Sequence, residues 1–229
     1  SAIADWRQRL GDHQADALGE TAALALLTDF AFPVVGHSIV ANEAELLAAA
    51  AEIGYPLVLK TAAPGINHKS DSNGVFVDIQ TEADLLHIYR DLCTRLGPVA
   101  LLSQMVEQGV EIALGTVNDS QFGPIIMVAA GGILVELLSD RAVAMCPVSP
   151  GQAEAMLSSL KANRLLLGVR GKPAVNRQAL IDAIVKLSAI AYELRDSIAE
   201  VDINPVLVNS REALAVDALI VPRKAEASC

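Results

Sequence analysis

The sequence lacks features that several classes of protein need. Its three cysteines, Cys93, Cys146 and Cys229, lie far apart and form no CxxC pair, so neither a disulfide framework nor a zinc knuckle is expected. Lysine and arginine total 17 against 27 aspartates and glutamates, and the formal net charge is −10. This balance argues against a nucleic-acid or anionic-membrane surface, because such surfaces need clustered cations. The only local basic excess lies between Arg164 and Lys172.

Long uncharged apolar runs are also missing. No stretch of about eighteen apolar residues is free of charges, and no basic segment followed by an apolar region stands at the N-terminus. The sequence therefore predicts neither a membrane span nor a signal peptide, and we expect a cytoplasmic protein. The chain begins Ser1-Ala2 without methionine, which is typical of a tag remnant or of a domain cut from a longer polypeptide.

What is present is enough apolar sequence for a substantial core. Of the 229 residues, 52% are hydrophobic and 19% are charged, as in soluble proteins that form one large domain or two small lobes. The periodicity first predicts helices at 21–30, 43–53 and 81–96 and strands at 57–60 and 75–79. Short strands are then predicted at 99–106, 111–117, 124–128, 133–137 and 142–146, followed by helices at 150–160 and 176–194 and strands at 199–208 and 213–220.

The order of these elements predicts the fold class. Strands and helices occur in blocks, which favours an α+β architecture in two lobes over a doubly wound parallel sheet. The boundary between the lobes is expected near Gly97-Pro98. This divides the chain into an N-terminal extension (1–18), an N-terminal lobe (19–98), a C-terminal lobe (99–222) and a tail (223–229).

The segment 55–77 holds a lysine and a histidine that could reach one phosphate. Lys60 closes the apolar run of a predicted strand, and His68 opens the sequence His-Lys-Ser-Asp in the following loop. An ammonium group binds phosphate as a point charge, and a neutral imidazole can attack a phosphoryl group and hold it as a phosphoramidate. Taken singly, Lys60 is more simply a lysine snorkelling from a strand end, and His68 a surface-loop histidine. Together they make phosphate transfer the leading hypothesis.

Oxygen-bearing side chains near the C-terminus indicate a metal site. Alternation along the predicted strand 199–208 places Glu200, Asp202 and Asn204 on one face, and Asp217 lies in the next predicted strand. Mg²⁺ typically takes one or two protein oxygens and completes its octahedron with phosphate oxygens and water. A solvated strand face would account for the first three residues, but it leaves Asp217 as a costly carboxylate within an apolar run. Metal binding is therefore the preferred interpretation.

Weaker groups complete the candidate residues. Gln104-Met105-Val106 could present backbone groups to an adenine edge, while Glu111 and Glu136 lie on successive predicted strands. Gly131-Gly132 permits a close backbone approach, and Arg170 lies in a Gly-Val-Arg-Gly loop able to touch an anion. Each group has a plain alternative: a hairpin turn, solvated strand-end glutamates or an ordinary surface loop.

Several of these motifs, in the same order, resemble one family. They are Gly54-Tyr-Pro-Leu-Val-Leu-Lys60, His68-Lys-Ser-Asp71, Gln121-Phe-Gly-Pro124, Gly131-Gly-Ile-Leu-Val-Glu136, Gly168-Val-Arg-Gly171 and Asp202-Ile-Asn-Pro205. Together they resemble the ATP-grasp domain of NDP-forming acyl-CoA synthetases, which is the β subunit or β-like domain of ADP-forming acetate–CoA ligases and is related to the succinyl-CoA synthetase β chain. The resemblance runs from about residue 19 to residue 221. It implies the ATP-grasp fold, with two α+β lobes and the nucleotide site between them.

The resemblance also implies an activity. An acid–thiol ligase of this kind converts acid, CoA and ATP into acyl-CoA, ADP and phosphate, and it carries the phosphate on a histidine between ATP or ADP and an acyl phosphate site. The matching positions are His68 as the catalytic carrier, Lys60 for phosphate, Asn204 and Asp217 for Mg²⁺, and Glu111 and Glu136 for the acidic positions near the nucleotide and the histidine docking site. Gln104 departs from the family's hinge position, and Gln104, Met105 and Val106 for the nucleotide and Arg170 for phosphate contact remain candidates from the residues themselves.

A partner is implied as well. The chain has no G-x-G-x-x-G motif opening a helix after a strand, so a CoA-binding α subunit or a fused CoA-binding domain would hold CoA and the small carboxylic acid. The sequence leaves open the acyl substrate, the choice between ATP and GTP, and the oligomeric state. Asn73 stands where the family usually has glycine, which could stiffen the loop that carries His68.

Two other functions remain as alternatives. One is an ATP-grasp ligase that activates a carboxylate directly as an acyl phosphate, without a histidine carrier; phosphate found on His68 would count against it. The other is a non-catalytic, regulatory nucleotide-binding domain of a fused acyltransferase. The presence of Lys60, His68, Asn204 and Asp217 argues against that second alternative.

Overall fold

The computed structural model describes residues 2–13, 16–63, 73–131, 140–168 and 173–224. Its contacts divide the chain into two compact units, one of Val35–Val106 and the other of the residues up to Val34 together with those from Glu107 onward. The helices in the described part are α1 (Ala2–Gly11), α2 (Glu20–Asp29), α3 (Glu43–Ile53), α4 (Glu82–Leu96), α5 (Pro150–Ser159), α6 (Asn163–Leu166) and α7 (Arg177–Glu193). The strands are β1 (His37–Val40), β2 (Leu57–Thr61), β3 (Val75–Ile79), β4 (Ala100–Gln104), β5 (Val110–Asp119), β6 (Gly123–Ala130), β7 (Arg141–Met145), β8 (Ile198–Val208), β9 (Ala213–Ala215) and β10 (Leu219–Pro222).

The unit of Val35–Val106 is a four-stranded antiparallel sheet with two helices. Its strand order is β1-β4-β2-β3. Both helices begin at capping residues: the Asn42 side chain accepts a hydrogen bond from the Glu45 amide, and the Thr81 side chain accepts one from the Asp84 amide. The core between helices and sheet includes Val40, Leu46, Leu57, Leu59, Leu85, Leu92 and Leu102.

Strand β4 sets the extent of this unit. The boundary predicted near Gly97-Pro98 precedes β4, whereas the structure places β4 between β1 and β2, with Leu102 opposite Leu59. The contacts therefore group β4 with the first sheet and extend the unit to Val106. The sequence could not show this, because the pairing partner of β4 lies some forty residues earlier in the chain.

The N-terminal segment, predicted as an extension, contains a helix that packs onto the larger unit. Trp6 is only 4% exposed, and its Nε1 donates to the Asp29 carboxylate at 2.8 Å. The Arg7 guanidinium donates to the carbonyl oxygen of Glu193 at 2.8 Å. The buried residues of α1 are only Trp6 and Leu10. Two apolar positions are too weak a pattern to predict this helix from the sequence.

The larger unit contains a six-stranded antiparallel sheet. Its order is β10-β8-β5-β6-β7, and β9 pairs with β8. One face is buried beneath α7, which contacts β5, β6 and β8. The predicted strand 213–220 is divided into β9 and β10 by residues 216–218, and the predicted strand 133–137 lies outside the described residues.

Together the two units confirm the α+β prediction. Each combines an antiparallel sheet with helices. In the described ranges, no helix combines the length and the apolar character that a bilayer crossing would need.

Candidate functional site

Lys60 occupies an interior strand of the smaller sheet. Along β2 the residues Leu57, Leu59 and Thr61 are buried, while Lys60 is half-buried. This alternation puts Lys60 on the face opposite the apolar core, where it pairs with Val75 of β3 and with Leu101 of β4. The strand thus fixes the lysine stem between two neighbours and directs the ammonium away from the core.

The segment that carries His68 begins and ends beside Lys60. Residues 64–72, and His68 with them, lie outside the described part of the structure. The base of the segment is described: the Thr61 amide donates to the Gly74 carbonyl oxygen at 2.7 Å, and the Ala62 amide donates to Val99 at 2.9 Å. The Thr61–Gly74 bond extends the pairing of β2 with β3 one residue beyond Lys60, and the Ala62–Val99 bond ties the start of the segment to the residue before β4. Both ends of the His68 segment are therefore attached to the β2–β3 hairpin.

Asn73 adopts the backbone conformation that the family's glycine would take easily. Its φ is 49°, in the left-handed region that asparagine tolerates better than most residues but less well than glycine. Its carbonyl oxygen accepts a hydrogen bond from Arg95 at 3.3 Å. Asn73 therefore holds a left-handed conformation in which glycine would meet no steric cost.

The segment Gln104-Met105-Val106 leaves the smaller sheet at the end of β4. The Gln104 amide donates to the Gly36 carbonyl oxygen at 2.9 Å, and the Met105 amide donates to Pro56 at 3.1 Å. These two amides are therefore engaged, and the groups left to meet an adenine edge are the carbonyl oxygens and the Val106 amide. Gln104 pairs with Leu57, three residues along β2 from Lys60.

Glu111 lies in the larger unit at a close approach of two backbones. It is an exposed residue of β5, opposite Leu207 of β8. The Gly131 amide donates to the Glu111 carbonyl oxygen at 2.7 Å. A Cβ added to Gly131 would lie 2.6 Å from the Glu111 carbonyl carbon, so glycine is required there by contact rather than by a turn. Glu136 and Arg170 lie outside the described residues.

Asn204 and Asp217 lie on adjacent backbone segments, Asn204 in β8 and Asp217 just after β9. The Val216 amide donates to the Pro205 carbonyl oxygen at 3.2 Å, and the two candidate ligands are the next residues outward from this bond. Asp217 is half-buried in the break between β9 and β10 rather than within a strand. The register of β8 is irregular at Asn204, since two residues of β8, Asn204 and Pro205, face one residue of β5 between the pairs Ile112↔Val206 and Leu114↔Ile203.

That irregularity is a β-bulge at Asn204-Pro205. A bulge bends its strand and changes the direction of a side chain, and Asn204 is exposed. The peptide bond between Asn204 and Pro205 is cis. Residues Val201 and Ile203 are buried while Glu200 and Asn204 are exposed, as the predicted single polar face requires.

Asp202 belongs to the same face, as the alternation predicts, although the family resemblance assigns Mg²⁺ only to Asn204 and Asp217. It is half-buried and lies opposite Gly115 of β5 and Leu219 of β10. Burial raises the pKa of its carboxyl group, and the neighbouring Glu200 carboxylate raises it further.

The oxygen donors fit a hard divalent cation. Among the described residues, no group of three histidine, cysteine, aspartate or glutamate side chains is placed to hold a metal. One amide oxygen and one carboxylate, from Asn204 and Asp217, match the small protein share that Mg²⁺ takes when water and phosphate complete its shell. Lys60 and Gln104-Met105-Val106 belong to the unit of Val35–Val106, whereas Glu111, Asn204 and Asp217 belong to the other.

Comparison with known proteins gives a consistent result. A family model described as an ATP-grasp domain matches residues 10–221. The β subunit of acetate–CoA ligase (ADP-forming) I from Pyrococcus furiosus is 36% identical over 212 residues, which cover 89% of this chain and 91% of that protein. The 4-hydroxybutyrate–CoA ligase (ADP-forming) of Nitrosopumilus maritimus is 35% identical over 80% of this chain, but the match spans only 27% of that longer protein.

A solved structure extends the likeness to three dimensions. It is the dinucleotide-forming acetyl-coenzyme A synthetase 1 of Ca. Korarchaeum cryptofilum in complex with coenzyme A and Mg-AMPPCP, with its phosphohistidine segment pointing towards the nucleotide-binding site. The TM-score is 0.86 at 33% identity, over 96% of this chain and all of that one. The chain therefore belongs to the ATP-grasp family, in the group that contains the β subunits of ADP-forming acetate–CoA ligases.

Proposed function

We propose that the chain is the ATP-binding part of an ADP-forming acyl-CoA synthetase, with His68 as its phosphate carrier. The observation that carries the proposal is the closed base of the β2–β3 hairpin, where the Thr61–Gly74 hydrogen bond holds both ends of the His68 segment next to Lys60. The phosphate-binding Lys60 and the segment that carries His68 thus belong to one hairpin. Membership of the group described above supports the same activity.

Residues of both units are assigned to bind the nucleotide. The Lys60 ammonium contacts phosphate oxygens, and the carbonyl oxygens of Gln104 and Met105 accept from the adenine amino group. Glu111, whose carbonyl oxygen accepts from the Gly131 amide, is the residue of the larger unit that we assign to the nucleotide. Mg²⁺, held by Asn204 and Asp217, neutralises phosphate charge when bound.

The transfer step is a displacement at phosphorus. A ring nitrogen of neutral His68 attacks the γ-phosphorus of ATP, an N–P bond forms, and the bond from phosphorus to the bridging oxygen breaks with its electron pair leaving on ADP. The step needs no external base, because the attacking nitrogen carries a lone pair. Lys60 stabilises the charge on the transferring group and assists in both directions.

The remaining chemistry belongs to a partner. A CoA-binding α subunit or fused domain takes the phosphate to a small carboxylic acid, and CoA then displaces it from the acyl phosphate. The chain spans nearly all of a separate β subunit but about a quarter of a single-chain ligase, so both arrangements occur among its relatives. We propose that the complete enzyme works in the cytoplasm.

Labelling with γ-labelled ATP tests the proposal. The chain, with Mg²⁺, should acquire a phosphate that is labile in acid and stable in base, as expected of a phosphoramidate. His68→Ala should abolish the label. His87→Ala is the matched control, because His87 is exposed on α4 and should label like the wild type.

Three results would contradict the proposal. Label that persists in His68→Ala would place the carrier elsewhere. Acyl phosphate formed by the folded chain without any protein-bound phosphate would favour an ATP-grasp ligase that has no histidine carrier. Absence of all labelling, with the CoA-binding partner present, would favour a regulatory nucleotide-binding domain.

A further inference from the structure

We propose a second anion site, for a phosphate-bearing small molecule, in the cavity beside the turn between α5 and α6. The cavity has a volume of about 480 Å³ and is lined by Ser158, Leu160, Lys161, Asn163 and Arg164. It lies wholly within the larger unit. None of the described residues assigned above to nucleotide or metal lines it.

The turn that carries the cavity is fixed by a buried carboxylate. Asp140 is 7% exposed, and its two oxygens accept hydrogen bonds from the amides of Lys161 at 2.8 Å and Ala162 at 2.7 Å. The side chains of Leu160 and Ala162 are buried on either side. The backbone at Lys161 is therefore anchored to the start of β7, and the Asp140 carboxylate is occupied by these amides.

A half-buried arginine orients the polar lining. Arg177 donates to the Glu154 carboxylate at 2.9 Å, to Asn163 Oδ1 at 2.6 Å and to Ser158 Oγ at 2.9 Å. A guanidinium only donates, so the amide oxygen of Asn163 must face Arg177 and its NH₂ group must point away. The Glu154 carboxylate, neutralised by Arg177, cannot serve as counter-ion for the cavity's cations.

The cavity therefore offers donors and positive charge. Among the described residues, neither the Lys161 ammonium nor the Arg164 guanidinium has an ion-pair partner, although the chain carries a net charge of −10. A lysine and an arginine beside an amide NH₂ are the donors that proteins use for phosphate. The volume is larger than one phosphate group needs, so the phosphate would be one end of a larger molecule.

Pyrophosphate is a suitable probe for this site. The full chain would be titrated with inorganic pyrophosphate while ¹H–¹⁵N spectra follow the amides of Ala162, Asn163 and Leu165. Amides of Leu59, Lys60 and Thr61 report separately on binding at the proposed nucleotide site. We expect saturable shifts at the first set in the wild-type chain, whether or not the chain transfers phosphate to His68.

Charge-matched variants decide the result. Lys161→Gln with Arg164→Gln should weaken pyrophosphate binding at the cavity amides about tenfold or more. Lys186→Gln with Arg223→Gln removes the same charge from exposed positions elsewhere in the larger unit and should change binding less than about twofold.

Three outcomes would overturn the proposal. The first is that the cavity amides shift without saturation, as for an adventitious ion only. The second is that both double variants weaken pyrophosphate binding equally. The third is that the cavity double variant binds pyrophosphate as tightly as the wild type. If the cavity variant fails to fold, Arg164→Gln alone carries the test, because Arg164 is exposed. That single variant should lose about threefold in affinity, and an unchanged affinity would refute the site.

Discussion

The two sheets place their candidate residues in different ways. On β2 of the smaller sheet, Lys60 stands where regular alternation puts it, between buried Leu59 and buried Thr61. On the larger sheet, Asn204 lies at a bulge and Asp217 in a break between two strands. The regular alternation of β2 therefore positions Lys60. The positions of Asn204 and Asp217 depend instead on a bulge and a strand break, which arise from pairing with neighbouring strands.

Removing the Lys60 charge should give the largest effect. We expect Lys60→Ala to slow phosphate transfer to His68 about a hundredfold or more, because a charge aimed at the transferring group is lost. The melting temperature should change little, since Lys60 is absent from the apolar core of its unit.

Initial rates of phosphohistidine formation measure this effect, with Lys186→Ala on the exposed face of α7 as the control. A Lys60→Ala rate within about threefold of the wild type would remove the lysine from the phosphate site.

Gly131→Ala should destabilise the larger unit by crowding its backbone. The added methyl group would lie 2.6 Å from the Glu111 carbonyl carbon, and forced overpacking of this kind typically costs about 1–3 kcal/mol. Gly151→Ala is the control, because nothing lies within 4 Å of its added Cβ and alanine favours the helix by roughly 0.5–1 kcal/mol. Urea unfolding of both variants measures the difference, and equal stabilities would contradict the close approach.

Asn204→Ala and Asp217→Ala should each raise the Mg²⁺ requirement. We expect the Mg²⁺ concentration for half-maximal labelling to rise about tenfold in either variant, because each removes one of two protein oxygens. The increase in the required Mg²⁺ concentration in the double variant should be smaller than the product of the two single increases, as for residues that share one partner. Asp196→Ala, at an exposed position near the start of β8, is the control. Effects that multiply fully would mean that Asn204 and Asp217 act at separate sites.

The smallest expected effect concerns Asp202 and pH. Burial, followed by the Glu200 carboxylate, raises the pKa of Asp202 in the folded chain, so the folded state binds this proton more tightly than the unfolded state. The contribution of Asp202 to stability is therefore greatest below its unfolded pKa and is lost as pH rises through the folded pKa. Asp202→Asn should gain stability relative to the wild type as pH increases from about 4 to 7. The urea midpoints of Asp202→Asn and of the wild type, measured at both pH values, test this. If the midpoint of the variant fell relative to that of the wild type as pH increases, the prediction would be wrong.

Much of the fold could be predicted from the sequence because its signals are local. The helix α3 has the predicted bounds Glu43–Ile53, and β3 has the predicted bounds Val75–Ile79. The division of 213–220 into β9 and β10 could not be predicted, because the break follows from pairing with β8 and not from composition. For the same reason β4 was assigned to the second lobe, although its neighbours in the sheet are β1 and β2.

The candidate site shows the same limit. Alternation alone placed Glu200, Asp202 and Asn204 on one face, and the burial along β8 agrees with it. The proximity of Asn204 to Asp217 depends on the hydrogen bond between Val216 and Pro205, which sequence spacing cannot specify. The burial that raises the pKa of Asp202 likewise arises from strands far apart in the chain.

The central claim is that phosphate from ATP passes onto His68 beside the cation of β2. Peptide mapping by mass spectrometry under alkaline conditions, after brief mixing of the wild-type chain with ATP and Mg²⁺, tests it most directly. The account predicts one phosphate on the peptide that contains His68 and little in Lys60→Ala. Phosphate located on another residue, or equal phosphorylation of His68 in Lys60→Ala, would contradict it.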